Sequence, residues 1–335
     1  MIGFLPFSSF LVNDGIFMIP FSSGSERSSN LNSSREVMYS PKAAARAIGV
    51  SESSLKRWCD AGKISVIKTA GGHRRLKQAN IISFLREKNK YELQDPLSIG
   101  LPDLSEFSVS NPADAARQYH RSLVAEEDDR CHRLLTYLYV NGWQMEEIVD
   151  QVVSEAFKQI GNQWQQGSLE IYQERRASEI CLESLGRIKT MLNPPEAPAF
   201  SAIGGTVEHD HYTLCTKSLE VSLISHGWQA KSLGSNLPFS TLLQAALTKR
   251  PNLMWVSVSY LKDEDSFIRG INAMAERIPR STTLVVGGFA IKPWFWPRIK
   301  NAMHCENIVQ LFGVVKQIEK TVTPSNFPSS IPPQF

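Results

Sequence analysis

Apolar residues along this chain recur at two periods, and the change from one to the other divides it. From residue 111 to 192 they return every three or four positions, which predicts about four helices with breaks near Ala125, Asn141-Gly142 and Gly167. Met145, Ile148, Val152, Ala156, Ile160 and Trp164 make one stripe on the third helix, and Ile171, Ser178, Cys181, Leu185, Ile188 and Leu192 make another on the fourth. Glu174 falls on that fourth stripe, where a carboxylate needs a partner or a proton. After Pro194-Pro195 the pattern changes to short apolar runs alternating with amphipathic ones. Strands are expected near 200–207, 229–233, 253–257 and 283–286, with a weaker fifth at 304–309. Helices are expected near 214–226, 240–249, 263–277, 293–303 and 314–322. Such alternation with short loops implies an α/β domain with a doubly wound parallel sheet.

Residues 39–88 follow a third pattern, of short capped helices. Ser40 can cap a helix with Pro41 at its first position, and Ala44, Ala45 and Ile48 supply the apolar face. Gly49 ends that helix, and Ser51 starts a second carrying Leu55 and Trp58 inward. The interval Ile48-Gly49-Val50-Ser51 has the form of a helix-turn-helix turn, with glycine where a left-handed backbone is needed. A hairpin-like wing from Ile64 to Leu76 ends in His73-Arg74-Arg75, and a further helix spans roughly 78–88.

Charge sharpens that picture. Residues 38–90 hold 12 Lys/Arg against 3 Asp/Glu, a net +9, while the whole chain is only +3, so the remainder carries −6. A local excess of this kind marks a polyanion-binding face. With 335 residues, 42% hydrophobic and 21% charged, the chain is long enough and ordinary enough for two or three globular domains. Cys59, Cys131, Cys181, Cys215 and Cys305 are odd in number and never in Cys-x-x-Cys spacing, which points to a reducing, cytoplasmic setting and to neither a disulfide framework nor a zinc site. No apolar run reaches the roughly 18–20 residues of a membrane span. Residues 1–37 are expected as a disordered leader, with Met18 or Met38 as alternative beginnings, and 324–335 as a disordered tail. The expected domains are 38–90, a linker at 91–110, a helical cap at 111–193 and the α/β domain at 199–323.

The first segment resembles the winged helix-turn-helix of MerR and excisionase-type DNA-binding domains. Gly49-Val50-Ser51, Leu55 with Trp58, and Gly71-Gly72-His73-Arg74 carry the resemblance. It implies that Lys56 and Arg57 face the major groove and that His73, Arg74 and Arg75 touch phosphates. Phosphate contacts would give salt-dependent affinity and base contacts sequence choice.

The candidate chemistry of the other half is concentrated in Glu208-His209-Asp210-His211-Tyr212, between an apolar strand and a helix opening near Leu214. A ligand-rich loop at the carboxyl end of a strand is where open α/β sheets bind small molecules. Behind a MerR-like reader, a four-helix bundle followed by a doubly wound, flavodoxin-like domain resembles the CarH-type cobalamin-binding photoreceptor repressors. That family has a Trp followed ten and eleven residues later by Glu-His above the cofactor. Here these are Trp164, Glu174 and Arg175, so the His is replaced. Its cobalt-binding Asp/Glu-x-His-x-x-Gly falls on Asp210, Tyr212 and Cys215, so the ligand His and the Gly are replaced too. Ser257 and Gly287-Gly288 match the residues lining the nucleotide-tail tunnel. The resemblance thus implies cobalamin as cofactor, with cofactor-binding residues Trp164, Glu174, Arg175, Asp210, Tyr212, Ser257, Gly287 and Gly288.

Three alternatives are open for the metal. A one-residue slip makes His211 the ligand, with His209 as the other choice; cobalamin binds with no protein ligand below; or the fold has exchanged cobalamin for another ligand, such as haem, or for a protein. A phenol is a poor neutral donor beside an imidazole. The function expected is a non-enzymatic transcriptional regulator that binds double-stranded DNA, forms homo-oligomers and is controlled by its sensory half. The rival readings are a corrinoid carrier of a methyltransferase, which needs no DNA reader, and an architectural factor, which needs no sensory half.

Overall fold

Ser40 and Ser51 cap the first two helices as their positions predict, and the rest of the first unit is built around them. The computed structural model describes residues 37–88, 93–195 and 197–322. All of the expected leader but Val37, and the expected tail, lie outside those residues. The chain divides into two compact units, residues 1–101 and 102–335.

In the first unit β1 (Met38–Tyr39) precedes α1 (Pro41–Ile48) and α2 (Glu52–Asp60), followed by β2 (Ile67–Lys68), β3 (Arg74–Lys77) and α3 (Gln78–Lys88). Ser40 Oγ accepts from Ala43 N–H and Ser51 Oγ from Ser54 N–H, each at 3.1 Å. Gly49 has φ +73°, the left-handed conformation that lets the chain turn between α1 and α2. Ala44, Ile48, Leu55, Leu76, Ile81 and Leu85 form the core, with Trp58 and Phe84 rings 5.0 Å apart at its edge. β3 pairs antiparallel with β1 and β2, giving a three-stranded sheet whose first strand the sequence pattern did not predict. The stretch expected as linker is built into the fold. A 3-10 turn at Pro96–Ile99 is held on α1 by Ser98 Oγ donating to Ala43 O and Asp95 pairing with Arg46. Ile99, Leu101, Leu104 and Phe107 are all buried, which explains why a segment rich in turn signals is nevertheless ordered.

The second unit opens with the helical bundle, α4 (Pro112–Val124), α5 (Asp128–Val140), a composite third helix and α8 (Ile171–Met191). The third helix runs from α6 (Met145–Glu147) through a π-helical segment, Ile148–Val153, into α7 (Ser154–Gln165). A π segment inserts one residue per turn and re-aims side chains. Here it contains Asp150, whose carboxylate accepts from Ile308 and Val309 N–H of the α/β half at 3.2 and 3.0 Å.

The α/β half follows as β4 (Ser201–Thr206), α9 (Leu214–Ser225), β5 (Gln229–Ser232), α10 (Phe239–Lys249), β6 (Leu253–Ser257), α11 (Glu264–Ala275), β7 (Thr283–Gly287), β8 (Met303–Cys305) and α12 (Ile308–Val322). All pairings are parallel, in the order β5-β4-β6-β7-β8. The strand order reverses between β4 and β6, which puts the binding crevice at their carboxyl ends. The helix expected at 293–303 is instead a 3-10 turn, Pro293–Arg298, because Pro297 removes a donor from its interior. α12 begins six residues before the position expected, since Asp150 caps it from another helix. Bundle and sheet are joined further by Lys189 Nζ donating to Glu220 Oε1 at 2.9 Å and by His226 Nε2 against Glu146 Oε2 at 2.9 Å. Among the described residues no helix is long and apolar enough to cross a membrane.

Candidate DNA-reading face and switch-point cleft

On the first unit, Lys56 and Arg57 are exposed on α2. Lys56 Nζ lies 2.7 Å from Glu52, and Arg57 Nη2 donates to Ser54 Oγ at 3.3 Å. An exposed pair of this kind contributes only about 0–1 kcal/mol, so neither cation is withheld from a polyanion. The wing turns at Gly72, φ +74°, which presents His73 at an exposed tip. Arg75 stands opposite Ile67 and Arg74 opposite Lys68. Arg74 differs from its neighbours. It is half-buried and its guanidinium is paired with Asp60 at the end of α2, so it braces the wing against the helix. Lys63 and Lys68 are exposed on the same unit and were not singled out by motif, although the local charge excess contained them.

On the second unit, the loop after β4 is organised by Asp210, which is fully buried. Its Oδ1 accepts from Tyr212 N–H at 3.0 Å, and its Oδ2 from Ser259 N–H at 2.6 Å and Tyr260 N–H at 3.3 Å, so one carboxylate ties the loops after β4 and β6 together across the switch point. Burial raises its pKa and those N–H bonds oppose the rise. Thr206 Oγ1 donates to Asp210 O, and Asn236 Oδ1 accepts from His209 N–H at 2.8 Å, which holds His209 at φ +69°.

This bracing aims Tyr212 at the bundle. Its Oη donates to Glu174 Oε1 on α8 at 2.8 Å, and the Arg175 guanidinium lies over its ring, 5.3 Å from the centroid. Burial, then the adjacent Glu174 carboxylate, raises the phenol pKa well above its usual value, so the phenol stays protonated. Glu174 is 8% exposed; its Oε2 has no hydrogen-bond partner and sits 3.6 Å from Arg175 Nε. Cys215 is solvent-exposed yet flanked closely enough by protein that burial raises its thiol pKa. The other four cysteines are buried.

The remaining cofactor-binding candidates lie on other elements. Trp164 is half-buried near the end of α7, and Ser257 is buried at the end of β6. A Cβ on Gly287 would meet the Cys305 carbonyl, and one on Gly288, φ +116°, the Val258 backbone. These two glycines are therefore required by approach of protein to protein. His209 and His211 are exposed, and among the described residues no group of three His, Cys, Asp or Glu is placed to hold a metal ion. The acid between the two histidines is turned inward and used on backbone N–H groups, which is why a crowded metal-like sequence does not converge. The Tyr212–Arg175 contact escaped the motif reading, although both residues are positions at which the CarH-type pattern is broken.

Residues 38–89 match the helix-turn-helix domain family, and residues 115–189 match the B12 binding domain family. The chain joins a helix-turn-helix domain to a B12 binding domain. This is the organisation of a DNA-binding regulator with a cobalamin-type module. A comparison with curated proteins finds no match. Among solved structures, the monomethylamine corrinoid protein of Methanosarcina barkeri is 15% identical, with 62% of this chain and all of that one covered at a TM-score of 0.50. A cobalamin-binding protein from Desulfitobacterium hafniense DCB-2 is 14% identical over 63% of this chain and 99% of its own, at 0.35. The methanol:cobalamin methyltransferase complex MtaBC of M. barkeri is 14% identical over 68% and 92%, also at 0.35. The first likeness supports the fold of the bundle and sheet.

Tyr212, Glu174 and Arg175 bring α8 against the switch-point loops, and the Glu174 oxygen without a hydrogen-bond partner is suited to accept from an amide of a cobalamin. These residues do not fit ligation of cobalt from below at position 212, where the donor is a protonated phenol already bonded to Glu174.

Proposed function

We propose that this protein is a cytoplasmic transcriptional regulator in which cobalamin, held between the bundle and the sheet, controls self-association and hence occupancy of paired DNA half-sites. The observation that carries this reading is the presence in one chain of a helix-turn-helix domain and a B12 binding domain whose bundle and loops meet at the switch point. Trp164, Glu174 and Arg175 would bound the cofactor from the bundle side, and Asp210, Tyr212, Ser257, Gly287 and Gly288 would shape the loops on the sheet side. When bound, cobalamin would supply a cobalt centre able to exchange a ligand. Lys56, Arg57, His73 and Arg75 would contact DNA, with Arg74 holding the wing in place. A ligand that binds one oligomeric state better shifts its population, and half-site spacing turns that shift into operator binding.

The test is an absorption spectrum of the full chain after incubation with adenosylcobalamin and gel filtration, in darkness and after illumination, with elution volume and DNA anisotropy read on the same samples. A corrin band that co-elutes and changes both readouts supports the proposal. A featureless protein peak refutes the cofactor part. A second reading, a regulator that works without cofactor and answers to another ligand or a protein, is favoured by the Tyr212–Glu174 bond, and the featureless peak would support it. A corrinoid carrier needs no DNA reader, so the helix-turn-helix domain argues against that role.

A further inference from the structure

Two of the three breaks in the CarH-type pattern, Arg175 and Tyr212, are in contact with one another. Tyr212 stands where that pattern has its lower imidazole and Arg175 where it has its upper one. In this chain Arg175 covers the Tyr212 ring and Tyr212 donates to Glu174. Three side chains from two elements thus close on each other: Glu174 and Arg175 from the first turns of α8, and Tyr212 from the loop ahead of α9. The loop side is stiff, because Asp210 takes Tyr212 N–H with one oxygen and two N–H groups of the loop after β6 with the other. The bundle side is only partly satisfied. Glu174 Oε1 takes the phenol and a long 3.4 Å contact from Ser178 Oγ, while Oε2 has no hydrogen bond. A carboxylate left in that state has something to gain from a new donor, whereas the rest of the contact resists opening.

We propose that Tyr212, Glu174 and Arg175 form a latch that closes the bundle onto the switch-point loops, so that a ligand enters between them by displacing the phenol from Glu174. The latch is a direct contact of bundle and loop, and so sets the threshold at which the sensory half responds. The ligand must bring its own hydrogen-bond donor for Glu174, as the amide side chains of a corrin can. Only this choice of displacing ligand rests on the cobalamin reading; the latch itself does not.

The test uses the full chain, and Tyr212→Phe, Glu174→Gln and the double variant, each checked for a wild-type circular dichroism spectrum. Glu174→Gln keeps side-chain shape and serves if Tyr212→Phe disturbs packing. Hydrogen exchange is first followed without ligand over residues 208–215 and the start of α8. The expected result is exchange accelerated roughly ten- to hundredfold in each single variant, the range for loss of one hydrogen bond to a charged group, with the double variant no faster than the singles. Unchanged exchange, or effects that multiply in the double variant, overturns the latch. Adenosylcobalamin titration by absorbance then separates the two ideas. Tighter binding by Tyr212→Phe, by about the same factor as the exchange effect, supports both. Faster exchange with no cobalamin bound by any variant leaves the latch standing and removes cobalamin as its ligand. Equal cobalamin binding with unchanged exchange retains the cofactor and overturns the latch.

Discussion

Replacing Asp210 tests the claim that one buried carboxylate organises the binding edge of the sheet. In Asp210→Ala, the N–H groups of Ser259, Tyr212 and Tyr260 lose their acceptor. The bonds to Ser259 and Tyr212, 2.6 and 3.0 Å, are firm, and the 3.3 Å bond to Tyr260 is weak. Each buried donor left unpaired costs about 1–3 kcal/mol, so the two firm bonds set a loss of about 2–6 kcal/mol. Relief from burying a carboxylate that is fully inaccessible offsets part of this, and a net loss of about 2–4 kcal/mol is expected. For a unit of this size that corresponds to a fall in Tm of roughly 5–15 °C. Asp210→Asn keeps one acceptor oxygen and places an NH2 against an N–H, so it should lie between wild type and Ala. The assay is urea unfolding followed by tryptophan fluorescence, since Trp228 and Trp255 are buried in the same half of the chain. A loss below about 0.5 kcal/mol, the range of a neutral surface change, would refute the argument, as would an Asn variant less stable than Ala.

Other substitutions probe separate parts of the chain. Ser51→Ala removes the cap of α2 and should destabilise the first unit by about 1 kcal/mol, seen as a lower denaturation midpoint with an unchanged m-value. Arg57→Ala and Arg75→Ala should each weaken DNA binding about tenfold, and should lower the salt slope by about 1 wherever the lost contact is to a phosphate. Arg74→Ala should in addition destabilise the first unit, because Asp60 loses its partner. Burial pushes the Glu220 carboxyl up, but hydrogen bonds from Lys189 and Lys217 outweigh it and hold the pKa below the ordinary value. A folded pKa below the unfolded one means stability that is present above the unfolded pKa and lost as pH falls through the folded one. Glu220→Gln should therefore reduce stability at neutral pH and flatten the acid limb of the stability profile; an unchanged acid limb refutes the assignment.

Local grammar was enough to establish most of the scaffold. Ser40, Pro41, Gly49 and Ser51 prescribe a helix, a turn and a helix through caps and a left-handed glycine, all within a few residues. The change from a helical period to alternating strands and helices announced a bundle and a parallel sheet, because those periods record which side of each element meets a core. The same grammar misjudged 293–303, where an amphipathic pattern outweighed Pro297, and the start of α12, which depends on a carboxylate more than 150 residues away. The candidate site divides along the same line. Crowding of acid and histidine singled out the loop at 208–212, which follows β4 at the switch point of the sheet. Only tertiary structure turned Asp210 inward onto two loops and brought Tyr212 against Glu174 and Arg175. Those contacts join residues 38 and 37 positions apart, through elements whose own sequences carry no record of their partner; a side chain's direction is set by what packs around it, and that is decided when bundle and sheet close.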